Sequence, residues 1–115
     1  TTFMVMPDTI KNDPELVKSF LRAIIKAQAW VQDATDTEIA IAMAPFFPDA
    51  DQTTLEIVAK SYRETDSWMT TPVMTEDAFT RLQDIMEING ELAARVDFAR
   101  LVDNSFALEL LEELK

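Results

Sequence analysis

The chain has 115 residues, enough for one domain whose folding removes roughly two thirds of the unfolded surface from water. Its 48% hydrophobic and 27% charged residues argue against disorder, and its net charge of −11 repels phosphate backbones and anionic headgroups, which excludes nucleic-acid and membrane-surface binding. With no His and no Cys, imidazole and thiolate catalysis, disulfides and the usual zinc ligand sets are also excluded. A single glycine stands where average usage would give about eight, which favours helices over hairpins.

In chain order, Thr1 to Met6 is an apolar run containing Phe3 and Val5 and reads as a short buried strand that Pro7 ends by withdrawing a ladder donor. An isolated strand leaves backbone groups unpaired, so its partners are expected outside the chain. Asp13 as N-cap, Pro14 at the first helical position and Glu15 in the first turn then open a helix to about Gln32. Its buried face is expected to be Leu16, Val17, Phe20, Leu21, Ile24, Ala27 and Val31. Thr35 to Glu38 fits a capping box opening a shorter helix with Ile39, Ile41 and Met43, which Pro45 and Pro48 break around Phe46 and Phe47. Asp51 caps a third helix bearing the stripe Leu55, Val58, Ala59 and Tyr62, with Glu56 and Lys60 paired on its outer face.

Ser67 to Met74, SWMTTPVM, has no helical period and reads as an extended connector. Thr75 caps a fourth helix with Phe79, Leu82, Ile85 and Met86 inside and Asp77 paired with Arg81 outside, and Gly90 falls where a helix ends on a left-handed residue. Leu92 to Val102 is irregular or a short helix. Asp103 or Asn104 caps a last helix with Phe106, Leu110, Leu111 and Leu114, whose acidic run Glu109 to Glu113 reads as a solvated face. The fold class expected is mainly α, about five helices with one short N-terminal strand.

Candidate chemistry is sparse. Asp49-Ala50-Asp51 superficially matches the start of a calcium loop, but the continuation lacks the glycine and the spaced ligands, so Asp51 is read as a helix cap. Trp30, Tyr62 and Trp68 are the aromatic residues to weigh as binding groups. Trp30, near the inner face of the first long helix, is read as core. Trp68, in a polar connector, is the candidate ligand contact, with gap-filling between helices as its competing role. No catalytic residue, metal ligand or cofactor site is identified, and the chain is not expected to be an enzyme.

Three stretches in order carry a resemblance: the opening strand leading through a Pro-Asp turn into DPELVKSFLRAIIKAQAW, then WMTTPVMTEDAFTRLQDIMEINGEL, then VDFARLVDNSFALELLEEL. Together they resemble the C-terminal part of ABC-transporter solute-binding proteins of the nitrate/sulfonate/taurine and thiamine-pyrimidine branch. The resemblance implies a type II periplasmic-binding-protein fold of two α/β lobes around a cleft. Such a protein delivers a small solute to ABC permease subunits from a periplasmic or extracytoplasmic position. Residues 1–115 would then be the C-terminal helical portion of a protein roughly two to three times as long, beyond what one compact lobe holds. Met4, Val5 and Met6 sit where a hinge strand would return, most ligand contacts fall in the absent part, and an exposed strand and apolar face would favour homo-oligomers. A relative of the same fold makes the thiamine pyrimidine enzymatically, a reading that a chain without His does not support. The alternative is an autonomous helical interaction module whose opening strand adds to a partner's sheet.

Overall fold

A computed structural model describes residues 2–114. Seven helices follow one another: α1 (Pro7–Asn12), α2 (Pro14–Asp33), α3 (Asp36–Met43), α4 (Gln52–Glu64), α5 (Glu76–Ile88), α6 (Phe98–Leu101) and α7 (Ser105–Glu113), with a 3-10 turn at Ala44–Phe46. The expected opening strand is not formed. Among the described residues there is no strand, and 2–6 are neither strand nor helix; Thr1 lies outside the described residues. The protein is mainly α, and neither the strand nor an α/β architecture stands. With no sheet edge to join, the opening residues keep their backbone in water, and Phe3 sets its ring edge-on against Phe20 at 4.9 Å. Pro7 does the opposite of closing a strand. It occupies the first turn of α1, where a missing N–H costs nothing and its fixed φ suits a helix, with Asp8 behind it.

The chain divides into two compact units, Arg22–Thr71 and the pair of segments Thr1–Leu21 and Pro72–Lys115. In the first, α3 packs on α4 and buries Ile39, Ala40, Leu55 and Ala59. Ala34, Ile39 and Ala59 form its centre, with Val31, Met43 and Trp68 against them. The Thr35 capping box is complete: the Thr35 hydroxyl accepts from the Glu38 N–H at 3.2 Å, and the Glu38 carboxylate accepts from the Thr35 N–H at 2.8 Å. Asp51 Oδ1 accepts from the Thr54 N–H at 2.7 Å to start α4. The Arg63 guanidinium ties the end of α4 to Asp36 at 3.1 Å and to the Ala34 carbonyl at 2.7 Å. On the outer face Lys60 pairs with Glu64 at 3.7 Å rather than with Glu56, whose carboxylate accepts from Gln52. That reverses the expected partner but keeps the i,i+4 spacing.

The second unit buries Phe79, Ala107 and Leu110, and also Gln83, a residue that periodicity leaves outside. The Gln83 amide clasps one residue at both ends, its nitrogen donating to the Val96 carbonyl at 3.2 Å and its oxygen accepting from the Val96 N–H at 2.8 Å. Asn104 does the same to Met74, donating at 2.8 Å and accepting at 3.1 Å. Its side chain is therefore not a helix cap; the Ser105 N–H is taken by Asp103 at 2.9 Å instead. Thr75 caps α5 and Arg81 bonds Asp77, both as the sequence predicts. Leu82 and Ile85 are nonetheless exposed, because Gln83 and Phe79 take the inner face. Glu109 is not merely solvated: it holds Lys18 at 2.6 Å.

Both long amphipathic helices that follow a capping Asp or Thr end on the same device. After α5, Gly90 at φ 73° sends its N–H to the Glu87 carbonyl and the Glu91 N–H reaches Met86. After α4, Asp66 at φ 52° repeats the pattern, with its own N–H on Arg63 and that of Ser67 on Tyr62. α2 differs from the other long helices: Asp13 caps it through the Leu16 N–H at 3.2 Å, yet none of its residues is fully buried. Leu16 and Phe20, expected inside, stand 57% and 45% exposed.

Candidate ligand groove

The turn after α4 decides where Trp68 points. The left-handed Asp66 reverses the chain, and the Thr65 hydroxyl donates to the Ser61 carbonyl at 2.8 Å. Trp68 is thereby laid back over α4, where its Nε1–H donates to the Ala59 carbonyl at 3.4 Å. Its ring lies 5.0 Å from that of Tyr62 at 40° between planes, two inclined walls rather than a stack. Between them opens an apolar groove of about 370 Å³, walled by Met43, Phe47, Leu55, Val58, Tyr62 and Trp68, with Ala50 and Thr54 at its edge.

Trp68 therefore plays both roles weighed for it. One part of the indole packs on the Ala34, Ile39 and Ala59 centre, and another lines the groove. The structure joins Tyr62 to it but not Trp30, which is 45% exposed on α2 and no part of the core assigned to it. Phe47 and Met43 are groove residues that sequence reasoning missed. The spacing Leu55, Val58, Tyr62 already marks one face of α4, and Pro45 together with Pro48 fixes the turn that brings Phe47 to it.

The electrostatics of the groove come from what surrounds it. Its lining has no charged residue. Asp51, next to Ala50, has its carboxyl held below the usual carboxylate range by the backbone and hydroxyl of Thr54, so it stays ionised as a cap. Among the described residues no group of three or more acidic, His or Cys side chains is arranged to hold a metal ion. No helix is long and apolar enough to cross a membrane. The groove offers van der Waals surface, ring faces and one free hydroxyl at Thr54, an arrangement suited to binding and poor in groups for bond-breaking.

No protein-family model matches the chain, and no solved structure matches it. A Bacillus subtilis (strain 168) protein named "Putative binding protein YtlA" is 30% identical over 113 residues, which is 98% of this chain. The chain spans about a third (34%) of that relative's length. Similarity thus runs from end to end of the chain, and the protein it is similar to carries the name of a binding protein.

Proposed function

We propose that the chain is the C-terminal helical portion of a larger two-lobed solute-binding component of an ABC transporter. It would help hold a small solute such as a sulfonate, nitrate or a pyrimidine and present it to permease subunits, without a complete site of its own. The observation that carries this reading is the match along 98% of the chain to a named binding protein that is about three times as long. The three sequence stretches that resemble the nitrate/sulfonate/taurine branch give the solute classes. On this reading the protein works outside the cytoplasmic membrane, uses no cofactor and catalyses no reaction, and Trp68 is the ligand contact that this portion contributes.

The test is uptake. Deleting the segment from its host protein and following labelled taurine, nitrate and pyrimidine into cells should abolish the uptake of one of them, and restoring it should restore that uptake. Unchanged uptake of all three would sink the transport reading. Light scattering on the purified chain checks the expected self-association. A monomer with a saturable protein partner would favour the autonomous interaction module instead.

A further inference from the structure

The groove beside Trp68 has the chemistry of a site for positive charge. Ring faces carry negative electrostatic potential, and three of the side chains that wall the groove, Phe47, Tyr62 and Trp68, are aromatic. Tyr62 and Trp68 stand 5.0 Å apart and inclined, so a rounded group can touch both faces. The chain already uses this attraction once, where the Lys18 ammonium sits 5.2 Å from the centre of the Phe106 ring.

Donors for an anion are missing. The indole N–H of Trp68 is committed to the Ala59 carbonyl, and no lining residue is basic. The two cations of α4 are engaged, Lys60 with Glu64 and Arg63 with Asp36 and the Ala34 carbonyl. Carboxylates flank the lining residues in the chain: Asp49 and Asp51 on either side of Ala50, and Asp66 between Tyr62 and Trp68. Among the described residues no basic side chain pairs with Asp49 or Asp66. The unit's surroundings therefore favour a cation by charge as well as by ring contact.

We propose that the Trp68 groove binds a small organic cation, a methylated or quaternary ammonium group seated against Phe47, Tyr62 and Trp68. The assignment rests on reading the groove as a ligand face and narrows its ligand class. A sulfonate or nitrate finds no donor in it, so the anionic part of any such solute is held elsewhere.

The experiment titrates the whole chain with tetramethylammonium, with the uncharged 3,3-dimethyl-1-butanol and with methanesulfonate. It is run in a Trp30→Phe background, so that Trp68 is the sole indole reporter. Tetramethylammonium should quench saturably at about millimolar concentration and bind at least about fivefold more tightly than the alcohol. Trp68→Ala and, as a variant outside the buried centre, Phe47→Ala should each weaken it about fivefold or more, read by NMR shifts of the Tyr62 and Val58 amides. Asp66→Asn should weaken it about twofold at low salt and leave it unchanged at high salt. Equal binding of the alcohol, or preferred binding of methanesulfonate, would overturn the cation assignment and leave the ligand face standing. Absence of saturable binding by all three would overturn both, whatever the uptake test of the transport reading returns.

Discussion

The two units are stabilised by different means. Arg22–Thr71 closes around a contiguous apolar centre, Ile39 and Ala59 pressed together with Trp68 and Met43 against them. The unit formed by Thr1–Leu21 and Pro72–Lys115 buries less apolar surface in one place and stitches its irregular segments down with amide side chains and ion pairs. Gln83 holds Val96, Asn104 holds Met74, Arg95 spans Asp84 and Glu87 at 2.6 Å each, and Lys18 holds Glu109. Regular secondary structure can be packed by side-chain shape alone. A connector such as 89–97 needs its backbone groups satisfied one by one.

The largest effect should come from the apolar centre. Ile39→Ala removes most of a side chain that is 2% exposed and should cost about 3 kcal/mol, measured as a lower urea midpoint followed at Trp68. A loss under about 1 kcal/mol would mean that α3 and α4 close over the gap and that this unit is not held by packing.

Next comes the clasp. Gln83→Leu keeps the volume roughly and leaves the Val96 N–H and carbonyl without their partners, at about 2 kcal/mol. Gln83→Glu sharpens the point, since it can still accept from the Val96 N–H but sets a carboxylate against the Val96 carbonyl. It should be no more stable than the leucine variant at neutral pH and should recover in acid. If both variants melt with the native protein, stitching is not what holds this unit.

The helix ends give a smaller and oppositely signed pair. Gly90 has nothing within 4 Å of where a Cβ would stand, so Gly90→Ala is opposed only by the left-handed φ, at about 1 kcal/mol. Asp66 meets the same backbone demand with a side chain, and Asp66→Gly should stabilise by about 0.5 kcal/mol. Thermal melts of the two variants should therefore move in opposite directions. Movement in the same direction would mean that the Asp66 side chain contributes something the φ angle does not capture.

Most of the helical skeleton is legible in the sequence because it is written locally. Thr35, Asp51 and Thr75 each declare a helix start through a side chain that reaches a backbone donor three residues on, and Gly90 declares an end. Failure came where the outcome depends on long-range partners. The run before Pro7 has β-prone residues, but a strand exists only if another chain segment lies beside it, and none of the described residues does. Gln83 looks like a surface residue until Val96 arrives from 13 positions away. Trp68 was found as a candidate because an aromatic in a polar connector is locally conspicuous. Its partners Met43 and Phe47 were not, since helical period assigns them to a core or a break and cannot say that a groove stays open between them.

The smallest effects are those of pH, and they should separate the units by sign. Thr35 holds the Glu38 carboxyl, and Thr54 that of Asp51, below the ordinary carboxylate range, and both belong to Arg22–Thr71. A carboxyl whose folded pKa lies below its unfolded value adds stability that is complete above the unfolded value and fades as pH falls through the folded one. In the other unit Asp103 behaves likewise through Ser105, but Lys18 is shifted upward, first by its hydrogen bond to Glu109. Stability from a raised lysine is complete below its unfolded pKa and fades as pH rises through the folded value. Amide exchange read unit by unit should therefore show two cap losses in Arg22–Thr71 on acidification, and a loss confined to the other unit on strong alkalinisation. Thr35→Ala should flatten the acid limb and Lys18→Met the alkaline one. Acid loosening that leaves α3 and α4 protected while α7 frays would place the weight on Asp103 and reverse the ranking of the two units.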